Sequence, residues 1–481
     1  MVSDSGGGIG DNGRGAAKPR KRIVIAGGGF AGVACARQLE SELGDDPDID
    51  LVMINEDNFL LFTPMLPQVV SGMIETRHIV TPIRTICKRA RFFEGRVRGI
   101  DPYAKTITVW GGGDAGRLTI HYDFAVVALG SEANFFGMPD VERNAFTMKT
   151  LNDAAELRNR VIDMLERAEN EADPALRRRL LNFVVVGAGF AGIETAGELM
   201  DLLHDAHKHY RSVGKDDVRV VILEALQEIL PGFDKDLAAF AKRRMEERGI
   251  EFRLQSAVRA FDGEEITVKR MAGDGNGGNG GGVPRGEENG NGGDDDDDEV
   301  IMSKTLIWTA GVTPVDMIKR AMLKTERGKV IVDDYLEVPG FPGVFAVGDC
   351  ALFVEPDTGR PVPPTAQLAE AQGKTAAKNL VALIRNREKE RFEFKPRGQM
   401  AVIGKRSAIA SVFGVNMSGF WAWLIWRGVY LSKISSGEKK SRVLLDWVID
   451  LFFSRDISRL KLARRGAEKD YRVLDEVDDM W

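Results

Sequence analysis

The chain has 481 residues, of which 43% are hydrophobic, so it is long enough to bury two or three hydrophobic cores. Its formal net charge of −6 gives no reason to expect a nucleic acid partner, and its three cysteines (Cys35, Cys87 and Cys350) are too scattered for a disulfide framework or a zinc site. Residues 1–21 are rich in glycine and lack the apolar segment of a secretory signal, so we expect a flexible tail.

A glycine-rich turn follows the first apolar run of the chain. The letters IVIA, typical of a buried strand, lead into GGGFAG and then into a helical stretch of small residues. In such a turn Gly27 permits the tight reversal, Gly29 lets a phosphate approach the backbone, and Gly32 allows close packing of helix on strand. One such motif alone also fits an ordinary packing turn, but the N-terminus of the following helix favours a bound pyrophosphate.

The end of the next strand is where an acidic residue is expected to accept hydrogen bonds from a ribose. That strand, DLVMIN, ends at Asn55, and Glu56 follows it. Glu56 is therefore the candidate ribose ligand in this half of the chain, one position later than the usual spacing.

The same unit recurs in the second half of the chain, where FVVV precedes GAGFAG with Gly187, Gly189 and Gly192 in the equivalent places. The following strand, VRVVILE, ends at Glu224. Glu224 is the predicted ribose acceptor, and its negative charge would repel a 2′-phosphate, which favours NADH over NADPH. Two such units in one chain predict two dinucleotides face to face, an arrangement suited to electron transfer.

Each half of the chain also ends in a similar way. TITVW, a glycine-rich turn and LTIHYDFAVVALG predict a small meander that returns to a parallel strand, and ITVKR with VIMSKTLIWTAG repeats this pattern up to Gly311, a candidate dinucleotide contact. Residues 273–299, with their Gly/Asn repeats and five consecutive aspartates, are predicted to be a disordered extension of a hairpin tip. The aspartate run lacks the spacing of an EF-hand calcium loop.

The third signal is a short apolar strand that ends at Gly348-Asp349, within VPGFPGVFAVGDCA. With the two glycine turns in the same order, it makes residues 22–385 resemble the two-dinucleotide flavoprotein oxidoreductases of the pyridine nucleotide-disulfide oxidoreductase type. The resemblance implies an α/β fold with two Rossmann-like domains for FAD and NADH, and a hydrogen bond from Asp349 to the ribitol of FAD. We expect the FAD-binding domain to comprise residues 22–150 and 325–395, and the NADH-binding domain residues 151–324.

Three further stretches resemble the type II NADH:quinone oxidoreductases: EDNFLLFTPMLPQVVSG, GAGFAGIE and PPTAQLAEAQG. This resemblance implies that Glu194 lies between nicotinamide and flavin and that Pro64 packs near the flavin ring. The alternative for Glu194 is a carboxylate stabilised by the helix dipole. Ala366 is then a flavin contact, and Gln367 belongs to the quinone site. The family pattern has a second glutamine four residues later, whereas here Gln372 comes after five and points away from the face of Gln367 at 100° per residue.

The region 396–481 is predicted to bind a membrane surface. It contains SGFWAWLIWRGVYLSK and SRVLLDWVIDLFFSRDISRLK, two amphipathic helices that are not apolar enough to span a bilayer. Lys and Arg outnumber Asp and Glu between residues 411 and 465, which suits helices lying in the membrane interface. The resemblance adds a homodimer formed through this region and a basic residue near the flavin, for which Arg427 is the match. The alternative is an oligomer interface or a lid over the flavin domain.

The resemblance as a whole implies hydride transfer from NADH to FAD and then transfer of two electrons to a membrane quinone, without proton pumping. It implies a peripheral protein on the cytoplasmic face of the cell membrane. Three alternatives stay open: a soluble NADH reductase of a protein acceptor such as ferredoxin or rubredoxin, a sulfide:quinone oxidoreductase, and a flavoprotein without an enzymatic role. No metal site is predicted at His204, His207 and His209, which lie on the polar end of a helix without other ligands at suitable spacing.

Overall fold

The computed structural model describes residues 20–111, 116–271, 298–356 and 359–459. The predicted flexible tail, residues 1–21, lies almost wholly outside the described residues. The predicted disordered insert, residues 273–299, lies outside them up to residue 297, and the C-terminal region lies outside them from residue 460 onwards.

The first part of the described chain alternates strands and helices. Its elements are β1 (Lys21–Ala26), α1 (Phe30–Leu43), β2 (Ile49–Asn55), β3 (Phe59–Leu61), α2 (Leu66–Val70), β4 (Val80–Pro82), α3 (Ile83–Ile86), β5 (Arg91–Asp101), β6 (Thr106–Gly111), β7 (Arg117–His121), β8 (Phe124–Val127) and β9 (Ser131–Ala133). Single turns of 3-10 helix lie at Thr63–Met65 and Thr76–Ile79.

The second part repeats the alternation. Its elements are α4 (Pro139–Asn144), β10 (Phe146–Thr147), α5 (Leu151–Asn170), α6 (Pro174–Leu180), β11 (Asn182–Val186), α7 (Phe190–Ala206), β12 (Arg219–Leu223), α8 (Lys235–Glu246), β13 (Ile250–Arg253), β14 (Ser256–Phe261), β15 (Glu265–Arg270), β16 (Asp298–Met302) and β17 (Thr305–Trp308).

The chain then returns to the first domain before its C-terminal elements. The return comprises β18 (Val312–Pro314), α9 (Met317–Arg320), β19 (Thr325–Glu326), β20 (Lys329–Ile331), β21 (Val344–Ala346), β22 (Ala351–Leu352), β23 (Val354–Glu355), β24 (Arg360–Pro361) and α10 (Ala366–Ile384). The C-terminal elements are β25 (Gly398–Val402), β26 (Ala408–Val412), β27 (Val415–Gly419), α11 (Phe420–Lys433) and α12 (Gly437–Phe452).

The first domain is built on a sheet with the strand order β21-β8-β1-β2-β5-β6-β7. Strands β21, β8, β1 and β2 and the start of β5 are parallel, whereas β5, β6 and β7 form the predicted antiparallel meander. Ile23 and Ile25 of β1 face one core and Val24 and Ala26 face another, which explains the continuous apolar run of this strand.

The second domain has a parallel sheet with the order β10-β17-β11-β12-β13, and a side sheet with the antiparallel order β14-β15-β16. Lys269 pairs with Asp298 in that side sheet, so the strands on either side of the predicted insert are hairpin partners. The predicted α/β class with two Rossmann-like domains is therefore confirmed.

The sheet of the C-terminal region packs on the second domain, whereas its last helix, α12, contacts residues 68–78 of the first domain. The strands β25, β26 and β27 form this antiparallel sheet, which the sequence analysis did not predict. Apolar residues from this sheet and from α11 and α12 share one core with residues of α5 and α7. The two predicted helices are present; α11 packs on this sheet, and α12 packs on α11 and on the 3-10 turn Thr76–Ile79.

Candidate active site

The first glycine turn has the shape that a pyrophosphate requires. Gly27 has a φ of +114°, and a Cβ added there would lie 2.1 Å from the carbonyl oxygen of Ala128. A Cβ on Gly32 would lie 1.9 Å from the carbonyl oxygen of Gly27, whereas one on Gly29 would meet nothing within 4 Å. The backbone is thus closed towards the protein and open at Gly29, where α1 begins. This cradle fits the diphosphate of FAD.

The second turn repeats this geometry at the start of α7. Gly187 has a φ of +99°, and a Cβ on Gly192 would lie 1.9 Å from the carbonyl oxygen of Gly187. A Cβ on Gly189 would meet nothing within 4 Å. Gly311, beyond the end of β17, has a φ of +80°, and the ring of Phe136 covers it at 2.7 Å from the position of an added Cβ.

The residues at the ends of β2 and β12 hold the two turns in the same manner. The N–H of Ala188 donates to Glu224 Oε2 at 2.6 Å, and the N–H of Gly28 donates to Asn55 Oδ1 at 2.8 Å. Asn55 is thus the positional equivalent of Glu224. The side chain of Glu56 is 68% exposed and lies 3.7 Å from Arg96, so its role as ribose ligand stays a prediction.

Asp349 lies in a small polar cluster that joins both domains. Ser131 Oγ donates to Asp349 Oδ2 at 2.7 Å, and Lys149 Nζ donates to Ser131 Oγ at 3.0 Å. Burial lowers the pKa of Lys149, and the negative charge of Asp349 opposes that shift. Gln372 Oε1 accepts the N–H of Gly348 at 2.7 Å and so fixes the turn that presents Asp349. The carboxylate is thus fixed in position, and its hydrogen bond to the ribitol of FAD stays a prediction.

Helix α10 brings its first residues to the edge of the C-terminal sheet. Thr365 Oγ1 accepts the N–H of Leu368 at 3.1 Å and caps the helix, so Ala366 lies at its first position. Gln367 Nε2 donates to the carbonyl oxygen of Gly398 at 3.0 Å. Gln367 and Gln372 therefore bind different parts of the molecule, in agreement with the predicted divergence of their faces.

Glu194 is a buried acid in the first turn of α7. Its side chain accepts the N–H of Val402 at 3.1 Å, which links α7 to β25. The pKa of Glu194 is raised to about 8, mainly by burial; the Val402 N–H and the Trp426 indole oppose this shift, and the Glu198 carboxylate contributes to it. The residue is therefore an acid that holds its proton at neutral pH inside the protein.

Glu194 and the FTPMLP loop approach helix α11 from different elements. Trp426 of α11 lies beside the Glu194 carboxyl and stacks on Tyr430 at 4.1 Å between ring centroids. The ring of Phe62 packs edge-on against Tyr430 and against Phe30, each at 5.9 Å. Pro64 follows Phe62 in a turn of 3-10 helix and is half-buried.

Arg427 lies between two indole rings. Its guanidinium carbon is 3.9 Å from the ring centroid of Trp423 and 4.8 Å from that of Trp447. Burial lowers the pKa of Arg427 to about 10. These cation–π contacts give the residue a packing role, and its contact with flavin stays a prediction.

Comparison with known proteins decides which family this site belongs to. Residues 21–373 match the family model described as pyridine nucleotide-disulphide oxidoreductase, and residues 397–456 match the NDH2 C-terminal domain. A type II NADH:quinone oxidoreductase of Mycobacterium tuberculosis is 32% identical over 453 residues, which cover 91% of this chain and 89% of that protein. The chain belongs to the type II NADH:quinone oxidoreductase family. The family predicted from the sequence is thus confirmed.

Solved structures with the same fold include an NDH2 of Plasmodium falciparum in complex with NADH. It matches with a TM-score of 0.79 and 18% identity, covering 91% of this chain and 100% of that one. The sulfide:quinone oxidoreductase of Aquifex aeolicus matches with a TM-score of 0.65 and 18% identity, covering 92% of this chain and 100% of that one. The fold alone therefore does not separate the two activities; the sequence relatives do.

The described residues do not favour chemistry based on a reactive cysteine or a bound metal ion. Cys35, Cys87 and Cys350 are buried and free, and burial raises the pKa of Cys350 to about 11 and that of Cys87 to about 12. Such thiols are poor nucleophiles. Over the described ranges, no group of three or more His, Cys, Asp and Glu side chains is placed to hold a metal ion.

The sequence analysis did not identify Ser131 and Lys149 as residues of the site. No local sequence pattern marks them, because only the fold brings them close to Asp349. Asn55 did carry a signal, since it occupies the position expected for the strand-end acceptor.

Proposed function

We propose that this chain oxidises NADH and reduces a membrane quinone through a bound FAD. The observation that carries the proposal is the pair of open glycine turns, in a chain that aligns over 91% of its length with an NADH:quinone oxidoreductase. When bound, FAD accepts a hydride from NADH and gives two electrons to the quinone.

The chain's own residues supply binding, orientation and a proton. The turn at Gly29 and the Ser131–Asp349 pair hold FAD, whereas the turn at Gly189 and the carboxylate of Glu224 hold NADH. The net reaction converts NADH, a proton and a quinone into NAD⁺ and a quinol, so one proton must enter the site. Glu194 is protonated at neutral pH and lies in the first turn of the helix that begins at Gly189. It is the candidate donor.

We propose that the protein binds the membrane through the outer surface of helices α11 and α12, which we call the docking face. Apolar side chains exposed to solvent on these two helices are Phe420, Trp421, Leu424, Leu444, Leu445, Val448, Ile449, Leu451 and Phe452. The inner surface instead buries Trp423, Trp426 and Trp447, so only Trp421 of the four tryptophans belongs to the docking face. None of the helices in the described ranges has the length and apolar character needed to cross a bilayer.

A helix pair with this pattern suits the membrane interface, next to the hydrocarbon core in which a membrane quinone is dissolved. The proposal locates the protein on the cytoplasmic face of the cell membrane, where NADH is produced. It also includes a homodimer formed through the C-terminal region, where Phe413 and Val415 extend the exposed apolar surface.

If the exposed apolar surface of α11 and α12 docks on the membrane, charged substitutions there should weaken vesicle binding and leave the reaction with NADH and a soluble quinone unchanged. Leu445 and Val448 are 58% and 42% exposed on α12, and the double substitution Leu445→Glu/Val448→Glu replaces their apolar surface with charge. We expect binding to anionic vesicles to fall by at least ~10-fold, while turnover with a short-chain quinone stays unchanged. Met322→Glu, at a residue 58% exposed outside the C-terminal region, is the matched control. Unaltered sedimentation of the double variant with vesicles would contradict this face.

The nucleotide preference depends on Glu224. Glu224→Arg is expected to lower kcat/KM for NADH by ~10-fold or more and to raise it for NADPH, because a cation replaces the acceptor of the ribose diol. Glu224 also accepts the N–H groups of Ala188 and Leu226, so Glu224→Gln, which keeps one oxygen, is the control for damage to the loop. Equal use of NADH by Glu224→Arg and the parent protein would show that the ribose is bound elsewhere.

The experiment that tests the function is the steady-state rate with NADH and a panel of acceptors, with and without vesicles. We expect menaquinone or ubiquinone analogues to support turnover and vesicles to increase it. Full activity with ferredoxin or rubredoxin and no response to vesicles would instead indicate a soluble reductase. Reduction of the flavin by sulfide and not by NADH would indicate a sulfide:quinone oxidoreductase.

A further inference from the structure

The chain beyond α12 turns back onto the second domain. We call residues 453–459 the return segment. The carbonyl oxygen of Asp456 accepts a hydrogen bond from Arg158 of α5, and Arg459 forms an ion pair with Asp163 of the same helix. Immediately before these contacts, the side chain of Arg455 points inwards to α7.

Arg455 is an almost completely buried cation, with a side chain only 2% exposed. Its Nη1 donates to the carbonyl oxygen of Glu198 at 3.2 Å, and its Nη2 lies 3.1 Å from Glu198 Oε2. Asp201 and Asp450 lie farther away, at 3.7 Å and 3.5 Å. The guanidinium thus donates a hydrogen bond to the backbone of Glu198 and lies within ion-pair distance of its carboxylate.

Glu198 relies on Arg455 for charge compensation more than the neighbouring carboxylates Asp201 and Asp205 do. Asp201 has a second cation, since Arg248 pairs with it, and Asp205 pairs with Lys208 and Lys405. For Glu198, whose side chain is also 2% exposed, the only ion pair within the described parts of the chain is the one with Arg455. Burial raises the pKa of Glu198 and the charge of Arg455 opposes that shift, so loss of this cation is expected to raise the pKa further and to favour the protonated carboxyl.

Glu198 lies one helical turn beyond Glu194 on the same face of α7, so the two carboxyl groups are neighbours. The remaining groups around Glu194 are the Val402 N–H of β25 and, on α11, the Trp426 indole and the Tyr430 ring.

Around Glu198 the groups other than Arg455 are the Ser71 hydroxyl and the charges of Asp201, Asp450 and Arg427. Of the groups that shift the pKa of Glu194, Glu198 is the one that forms an ion pair with Arg455.

We infer that Arg455 is a positioning residue for the proposed reaction: it keeps Glu198 as a fixed carboxylate on α7, and through Glu198 it sets the pH at which Glu194 gives up its proton. This inference rests on the proposed function, in which Glu194 is the proton donor. It assigns to the return segment a role in the chemistry of the site and not only in the attachment of α12.

The test compares Arg455→Met and Glu198→Gln, which remove the Glu198 charge in different ways. Each is expected to lower the midpoint of the Glu194 titration by about one pH unit, since a negative neighbour disfavours ionisation of Glu194. Arg455→Lys should restore the midpoint of the parent protein. Arg459→Met, in the same segment but paired with Asp163, should leave it unchanged.

Two measurements report the protonation state of Glu194. One is the pH dependence of kcat/KM for NADH:quinone turnover, and the other is the infrared band of the protonated carboxyl in the FAD-loaded protein, each assigned by its absence in Glu194→Gln. A midpoint that stays at the parent value in either Arg455→Met or Glu198→Gln would overturn the inference, even if both variants were less stable. If Arg455→Met does not fold, Arg455→Gln takes its place.

The two levels of the proposal fail in different ways. If the parent protein binds FAD but NADH does not reduce it, the proposed function is wrong. If NADH reduces the flavin and quinone reoxidises it, but the Glu194 midpoint ignores Arg455 and Glu198, only the role of Arg455 is wrong.

Discussion

Gly29→Val is expected to give a folded protein that purifies without FAD, whereas Gly189→Val is expected to retain FAD and to lose affinity for NADH. At both positions an added Cβ meets no protein atom within 4 Å, so the side chain extends into the space left for a diphosphate. Two lost backbone hydrogen bonds to phosphate, at about 1.5 kcal/mol each, correspond to a ~100-fold loss of affinity.

The measurement is the ratio of flavin to protein after purification, together with NADH titration of each variant. Gly32→Val serves as the contrasting variant, because a Cβ there would lie 1.9 Å from the carbonyl oxygen of Gly27 and disrupt the fold itself. A Gly29→Val protein with a full complement of FAD would show that the first turn does not hold the diphosphate. A Gly189→Val protein with unchanged affinity for NADH would show that the second turn does not hold the diphosphate of NADH.

Glu194→Gln is expected to lower quinone-dependent turnover by ~100-fold, in the range typical of a lost general acid. Gln preserves the volume and keeps an oxygen that can accept the Val402 N–H, so the hydrogen bond to β25 survives while the titratable proton is removed. Flavin content and thermal stability should therefore stay close to those of the parent protein.

The pH profile separates this role from a structural one. The pKa of Glu194 is raised to about 8 by burial, so the carboxyl is protonated below that pH and loses its proton above it. The parent rate should fall as the pH rises through about 8, and the same limb should be absent in Glu194→Gln. Wild-type turnover by Glu194→Gln across the pH range would mean that the proton enters by another route.

The motif-bearing strands, turns and helices could be predicted because their signals are local. The two glycine turns, the strands on each side of them and the start of α10 depend on the spacing of neighbouring residues, and they are present in the structure. The hairpin that carries the acidic insert follows from the repeated pattern of the two halves. The angular argument that separates Gln367 from Gln372 likewise needs only the period of a helix.

The remaining parts of the site depend on contacts between residues far apart in the chain. Val402 reaches Glu194 across 208 positions, and Ser131 reaches Asp349 across 218. No local pattern indicates that Lys149 completes that second contact. The sheet β25–β27 is stabilised by packing on α7 and α8, which the sequence of residues 398–419 does not reveal by itself.

The tryptophans of the C-terminal region illustrate the same limit. The two helices that contain them are predicted to bind a membrane surface, but Trp423 and Trp447 enclose Arg427 and Trp426 packs beside Glu194. Composition identifies an aromatic segment, whereas only the tertiary structure separates its buried face from its exposed one.

The most direct test of the account is an anaerobic titration of the purified, FAD-containing protein with NADH, followed by addition of a quinone. We predict that NADH bleaches the visible flavin band and that a menaquinone or ubiquinone analogue restores it. A protein that takes up no FAD, or a flavin band that NADH leaves unchanged, would contradict the central claim that the paired glycine turns bring NADH and FAD together.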